Sequence, residues 1–265
     1  MSKTILLTGA TDGIGLEAAQ MLYSLGHNLL IHGRNQDKLD ASKQILLQGG
    51  QKGSIETYRA DLSDLEQVLQ LAEHIKTQHN SLDVIINNAG VYSTPVKTTD
   101  KGLDIRFVVN TLAPYALTKA LMPLLSVDSR VINLSSAAQA PVSLAALRGE
   151  STLGDSAAYA QSKLAITMWS RKLGLALKGK GPLVMSVNPA SMLGSKMVKD
   201  AYGVNGGDLA IGATILTRLA VSDEFSQSHG DYFDNDIGQI SNPHPDALNP
   251  SKVDAVVETI ESLLN

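Results

Sequence analysis

The chain has 265 residues, a length that suits one or two domains of about 150 residues each. With 43% hydrophobic residues, 18% charged residues and a net charge of −4, it can form an ordinary core, but it has no large basic face for nucleic acid or an anionic membrane. The absence of cysteine excludes disulfides, a thiolate nucleophile and cysteine-ligated zinc. No apolar run reaches ~18 residues, and the run after Met1-Ser2-Lys3 is too short for a leader or a span, so a soluble, cytoplasmic protein is expected.

Short apolar runs alternate with helical patterns along the chain. The pattern predicts strands at 4–8, 28–32, 54–60, 83–87, 130–135 and 183–188, and a last one near 232–233. Helices are predicted at 14–25, 37–47, 64–78, 103–125, 157–177, 208–220 and 252–263. Ser63 and Glu66 have capping-box spacing, and Gly49-Gly50 suits a helix C-terminus. Apolar strands without alternation are covered on both faces, and the helices between them enforce parallel pairing. The expected fold is one α/β domain over 1–265: a doubly wound, mostly parallel Rossmann-type sheet of about seven strands with helices on both faces. In such a sheet the ligand sits at the carboxyl ends of the strands.

The first strand runs into Thr8-Gly9-Ala10-Thr11-Asp12-Gly13-Ile14-Gly15, where a helix opens. One glycine permits the sharp turn, a second lets backbone approach a pyrophosphate, and a third lets helix pack on sheet. The helix N-terminus offers free N–H groups to the phosphates. An NAD site places an acid about 20 residues further on, at the end of the second strand. Here that strand ends in Ile31-His32-Gly33-Arg34, with a guanidinium in place of the acid. An arginine fork fits a 2′-phosphate, so NADP(H) is favoured over NAD(H), although Asp12 in the turn works against it. A solvated arginine before a helix is the plainer alternative. His32 reads as a strand-end residue.

Tyr159 and Lys163 stand at i and i+4, on one helical face. A nearby cation stabilises a phenolate and brings the phenol within range of proton exchange with a carbonyl or alcohol oxygen. Alone, this spacing also describes an exposed amphipathic pair.

Together these motifs resemble the short-chain dehydrogenase/reductase family, in its simple single-domain branch. The resemblance rests on Thr8-Gly9-x-x-x-Gly13-x-Gly15, Asp61-Leu62, Asn87-Asn88-Ala89-Gly90, Asn110, Ser135-Ser136 and Tyr159-x-x-x-Lys163, in the family's order. The stretch between Ser136 and Tyr159 is longer than in the most compact members and resembles that of retinol-dehydrogenase-like and oxidoreductase-like relatives.

The resemblance implies a role for each position. Tyr159 would be the acid/base, Lys163 would lower its pKa and bond the nicotinamide ribose, and Ser136 would bond the substrate oxygen. Ser135 points the opposite way in an extended strand end. Asn110 would hold a relay water against Lys163; the alternative is a buried amide satisfying a helix kink. Gly9, Thr11, Asp12, Gly13, Ile14, Gly15, Arg34, Asp61, Leu62, Asn88, Ala89 and Gly90 would line the cofactor, with Pro189 and Met192 at its nicotinamide end. Asp61 would contact the adenine, and it also reads as a turn residue. The resemblance weakens at Asn188-Pro189-Ala190-Ser191-Met192: the family has Pro-Gly and then a Thr five residues after the proline, where this chain has Ala190 and Gly194.

A substrate lid is expected around 191–215, with a helix-packing stripe as the rival reading. The acidic stretch 230–236 lacks a calcium-loop pattern and reads as a solvated turn. Trp169 reads as core or subunit contact, and His74 and His79 as helix-end surface residues. The implied activity is hydride transfer between NADP(H) and a small-molecule carbonyl or alcohol substrate, with no metal and no nucleic-acid or membrane partner. Self-association stays open. An NAD-dependent relative and a non-catalytic dinucleotide sensor are the alternatives. A sugar-nucleotide epimerase of the extended branch would have a Gly-x-x-Gly-x-x-Gly turn and a longer C-terminal domain, which this chain lacks.

Overall fold

A computed structural model describes residues 1–50 and 53–265. Strands β1 (Thr4–Leu7), β2 (Asn28–Gly33), β3 (Ile55–Arg59) and β4 (Leu82–Asn87) alternate with helices α1 (Gly13–Ser24), α2 (Gln36–Leu47) and α3 (Leu65–Gln78). Then come α4 (Ile105–Phe107), α5 (Ala113–Leu121), β5 (Leu125–Leu134), α6 (Leu144–Leu147), α7 (Asp155–Leu177) and β6 (Leu183–Asn188). The chain continues through α8 (Lys196–Tyr202), α9 (Leu209–Val221), β7 (Tyr232–Asp234), β8 (Gln239–Ser241) and α10 (Pro250–Leu264).

Among the described residues all the strands share one eight-stranded sheet, in the order β3-β2-β1-β4-β5-β6-β7-β8. The pairs from β3 to β7 are parallel, as expected; the added β8 is antiparallel to β7. It is three largely exposed residues long, too short to carry a period. The strand order reverses between β1 and β4, and this opens a crevice at the carboxyl ends.

Successive strand residues feed two cores, which is why the strands read as unbroken apolar runs. Leu6, Leu30, Ile85, Val131 and Val184 face α3, α5, α7 and α10. Ile5, Leu7, Ile31, Ile86 and Ile132 face α1, α2 and α9. Trp169 is fully buried in the first core, edge-on to Tyr115. Tyr115 Oη donates to Glu261 of α10, which also buries Val253, Val256, Val257 and Ile260 in that cluster.

Two local expectations are corrected. The continuous helix over 103–125 is broken: a π turn over Val108–Leu112 separates α4 from α5, and a 3-10 turn over Met122–Leu124 leads straight into β5. Pro114 has no N–H to give the carbonyl of Asn110 four residues back, and Pro123 ends the helical run. The cap of α3 is Asp64, not Ser63. Its Oδ1 accepts from the N–H of Glu66 and Gln67, where the carboxylate also meets the positive helix end. Ser63 Oγ turns instead to Asp61.

Candidate active site

The turn between β1 and α1 is packed so closely that Gly9 and Gly15 leave no room for a Cβ. Gly9 and Gly13 have φ of +65° and +53°. A Cβ on Gly9 would lie 2.8 Å from Ala89 Cα, and one on Gly15 would lie 2.1 Å from the Gly9 carbonyl oxygen. At Gly13 the nearest atom to a Cβ would be Ser195 Cβ at 3.8 Å, an ordinary contact, so only its left-handed angle favours glycine there. Thr8 Oγ1 accepts from the N–H of Asn88 and Ala89, and Asn88 Nδ2 donates to the carbonyls of Thr8 and Gly9. The Asn88 amide therefore braces the turn.

The structure gives His32 a larger part than strand end. Its ring is buried between two backbone groups: Nδ1 accepts from Gly9 N–H at 3.3 Å, and Nε2 donates to the Ala60 carbonyl at 3.0 Å. Desolvation pushes its pKa down to about 4, so the ring is neutral and the tautomer is set by these two partners.

Beyond this clip, a Cβ on Gly33 would lie 2.6 Å from Thr11 Cγ2, so Thr11 rests against the end of β2. Arg34 follows, exposed and without an ion pair among the described residues. Asp12 caps α1 by accepting from Gly13 N–H, and its carboxylate lies 3.8 Å from Lys38 Nζ. The lysine thus offsets the acid that argued against a 2′-phosphate. Asp61 closes its own turn, accepting from the N–H and Oγ of Ser63. The Leu62 side chain is buried in the first core, which leaves only its backbone for a ligand.

The second half of the site gathers on α7. Lys163 is buried, its Nζ donating to the Leu134 carbonyl at 2.7 Å and lying 5.6 Å from the Tyr159 ring centroid. Desolvation pushes its pKa down to about 8. Gly90 lies alongside: a Cβ there would be 3.3 Å from Asn110 Oδ1 and 3.5 Å from Lys163 Nζ. Asn110, in the π turn, bonds both backbone groups of Val91 and donates to Ser162 Oγ, which in turn donates to the Tyr159 carbonyl. Its amide thus ties the loop after β4 to the helix of Tyr159 and Lys163.

The two serines after β5 diverge. Ser135 is buried, its Oγ donating to the Lys163 carbonyl and meeting Thr167 Oγ1 at 2.6 Å. Ser136 is half-buried, and its Oγ accepts from Ala138 N–H, which leaves its own proton to donate. Gln139 Nε2 and Tyr232 Oη both hold the Ser136 carbonyl.

Three features had no counterpart in the sequence reading. The buried Arg106 grips Asp104 with two N–H groups and also bonds Asp155, the first residue of α7. Lys97 adds bonds of 2.6 Å to the same Asp155, which anchors the loop over 91–104 one turn before Tyr159. Tyr92 in that loop packs against Tyr159 with ring centroids 5.0 Å apart and planes tilted by 53°, its Oη 2.5 Å from Ser156 Oγ. The only sequence signal was an arginine at an otherwise apolar helix position.

The segment after β6 is short of room. A Cβ on Gly194 would lie 2.7 Å from the Gly207 carbonyl oxygen and 2.8 Å from that of Asn205, so the family's threonine cannot stand there. Gly194 and Gly207 N–H donate to the Gly207 and Met192 carbonyls, and the closed segment carries α8, capped by Ser195. Leu193 is buried, and a Cβ on Gly212 would meet it at 2.7 Å and Ile14 at 3.3 Å. The turn over 234–236 is not merely solvated: Asp234 and Asp236 both accept from Asn188 Nδ2.

The crevice fits a dinucleotide. It offers a glycine turn at the N-terminus of α1, an arginine past β2, and a lysine and tyrosine on one helix. Among the described residues there is no cluster of three metal-ligating side chains, and no helix is long and apolar enough to cross a membrane.

Comparison with known proteins follows the same lines. The sequence model of the short chain dehydrogenase family matches residues 3–203. Retinol dehydrogenase 13 of Homo sapiens is 32% identical over 260 residues, covering 88% of this chain and 76% of that protein. A solved structure from Mycobacterium paratuberculosis superposes with a TM-score of 0.80 over 99% of this chain and 93% of that one, at 24% identity, a likeness of fold. A metagenomic short-chain oxidoreductase, solved in complex with NADP, superposes with a TM-score of 0.65 at 27% identity, over 83% of this chain and 91% of that one.

Proposed function

The chain belongs to the short-chain dehydrogenase family, and from that membership we propose that it transfers a hydride between NADP(H) and a carbonyl or alcohol substrate, with Tyr159 as the acid/base. The observation that carries this reading is the enclosed Lys163 ammonium, 5.6 Å from the Tyr159 ring and beside Gly90 and Asn110.

Gly9, Thr11, Gly13, Ile14 and Gly15 would receive the pyrophosphate and Arg34 the 2′-phosphate. Asp61 and the backbone of Leu62 would flank the adenine, with Asn88, Ala89 and Gly90 along the ribose and Pro189 and Met192 at the nicotinamide. When bound, NADP(H) supplies or takes up the hydride. Arg34, which stands at the end of β2 where an NAD site has its acid, supports NADP(H) over NAD(H), as does the NADP bound to the metagenomic relative.

The protons belong to the chain's own residues. The Lys163 cation stabilises the Tyr159 phenolate, so Tyr159 gives its proton to a carbonyl oxygen during reduction and accepts it from an alcohol during oxidation. Ser136 Oγ–H donates to the same oxygen as charge develops on it. Asn110 positions α7 through Ser162 and would hold a relay water against Lys163.

Tyr159→Phe tests the reading, because it keeps the ring against Tyr92 and removes only the hydroxyl. With a panel of aldehydes and ketones that starts with retinaldehyde (after the name of the human relative), turnover should fall at least ~100-fold while NADPH binding persists. Near-native turnover in this variant would overturn the mechanism.

A further inference from the structure

The loop leaving β6 has two non-glycine residues in left-handed backbone, Ala190 at φ +122° and Met192 at φ +55°. Side chains rarely adopt such angles, and they persist only where the surroundings over-determine them. What holds them lies on the neighbouring strand, in the turn that follows β7. Asp236 Oδ1 accepts from Ser191 N–H at 2.7 Å, and its Oδ2 accepts from Ser191 Oγ at 2.5 Å and Asn188 Nδ2 at 2.9 Å. Asn235 Nδ2 donates to the Pro189 carbonyl at 2.9 Å, and Asn235 N–H to the Asn188 carbonyl at 3.1 Å. Both neighbours of Ala190 are therefore pinned to one three-residue turn, and Ser191 is gripped twice by a single carboxylate. Burial pushes that carboxyl up, but the hydrogen bonds from Ser191 and Asn188 outweigh it and keep Asp236 ionised below the usual carboxylate range.

We propose that Asp236 is a positioning residue for the cofactor, which through Ser191 holds Ala190 and Met192 in the left-handed backbone that forms the nicotinamide end of the crevice. The proposal rests on the NADP(H) reading above. Where the family's glycine would adopt this backbone unaided, alanine needs a clamp, and the β7–β8 turn supplies one.

This makes a prediction of non-additivity that a merely structural hydrogen bond does not make. Four proteins decide it: the native chain, Asp236→Asn, Ala190→Gly and the double variant. NADPH affinity is read by fluorescence titration and Tm without cofactor. Asp236→Asn should weaken NADPH about tenfold with kcat at saturating NADPH nearly unchanged, but no more than about threefold when combined with Ala190→Gly, where no clamp is needed. Ala190→Gly should raise Tm in the native chain and not in Asp236→Asn, whose loop has already relaxed. Equal losses of affinity and equal Tm gains in both backgrounds would overturn the clamp. If native protein fails to bind NADPH, the cofactor reading fails while the Tm pair still decides the clamp. Should Asp236→Asn not fold, Ser191→Ala, which deletes the Oγ bond alone, runs the same cycle.

Discussion

Lys163 Nζ donates to the carbonyl oxygen of Leu134, and among the described residues no carboxylate pairs with it. A buried ammonium held by a single neutral acceptor is an energetic burden that folding alone would not select. On the proposed reading it is the cation that the Tyr159 phenolate would need, and the site would trade stability for proton chemistry.

Replacing Lys163 with methionine should therefore raise Tm near neutral pH while turnover is lost. The folded-state pKa, about 8, lies below the ordinary 10.5, so the unfolded chain binds the extra proton between those values and the penalty fades as pH rises through that window. Thermal melts from pH 7 to 10 should show the gain of Lys163→Met shrinking with pH. A variant less stable than the native chain at pH 7 would contradict this.

His32 gives the opposite end of the pH range. Its folded pKa of about 4 lies below the ordinary 6.5, so stability that is present above 6.5 is lost as pH falls toward 4 and the unfolded chain takes up the proton. His32→Gln should lower Tm at pH 7, because Gly9 N–H loses its acceptor, yet flatten the fall of Tm between pH 6.5 and 4. An unchanged acid slope would show that His32 contributes nothing there.

The turn glycines should separate folding from binding. Gly13→Ala meets only an ordinary 3.8 Å contact with Ser195 and a left-handed angle, so it should fold at a cost of about 1–2 kcal/mol. Its methyl group enters the cradle, and NADPH affinity should drop at least about tenfold. Gly15→Ala drives a carbon into the Gly9 carbonyl and should cost about 3 kcal/mol in denaturant unfolding. Equal effects of the two on stability would refute the distinction.

Arg34→Ala should remove the preference for NADPH, weakening it about tenfold or more while NADH changes little, since charge-assisted bonds to a phosphate are worth about 1.5–3 kcal/mol. Equal dissociation constants for NADPH and NADH in the native chain would count decisively against the 2′-phosphate role.

Much of this was legible in the sequence because strands and helices have strong periods. The apolar runs of β1, β4, the second half of β5 and β6 read as strands covered on both faces, and the glycine turn announced its own geometry. What stayed hidden depends on partners far apart in the chain. Arg106 meets Asp155 across 49 positions, and Ser191 meets Asp236 across 45, so no local pattern connects them. The short β8 and the π turn at Asn110 fall below the length at which a period can be read. Asp64 outcompeted Ser63 as a cap because the two stood side by side, and only the folded turn at Asp61 drew the serine away.

The chain has a single tryptophan, fully buried beside Tyr115, and its indole N–H has no acceptor among the described residues. An indole in so apolar a setting emits at the blue end of its range and shifts red on meeting water. Trp169 shares its cluster with the buried valines of α10, and Tyr115 is bonded to Glu261 there. The protein thus contains its own optical probe of whether the last helix is seated, readable without a label while any of the variants above is being melted.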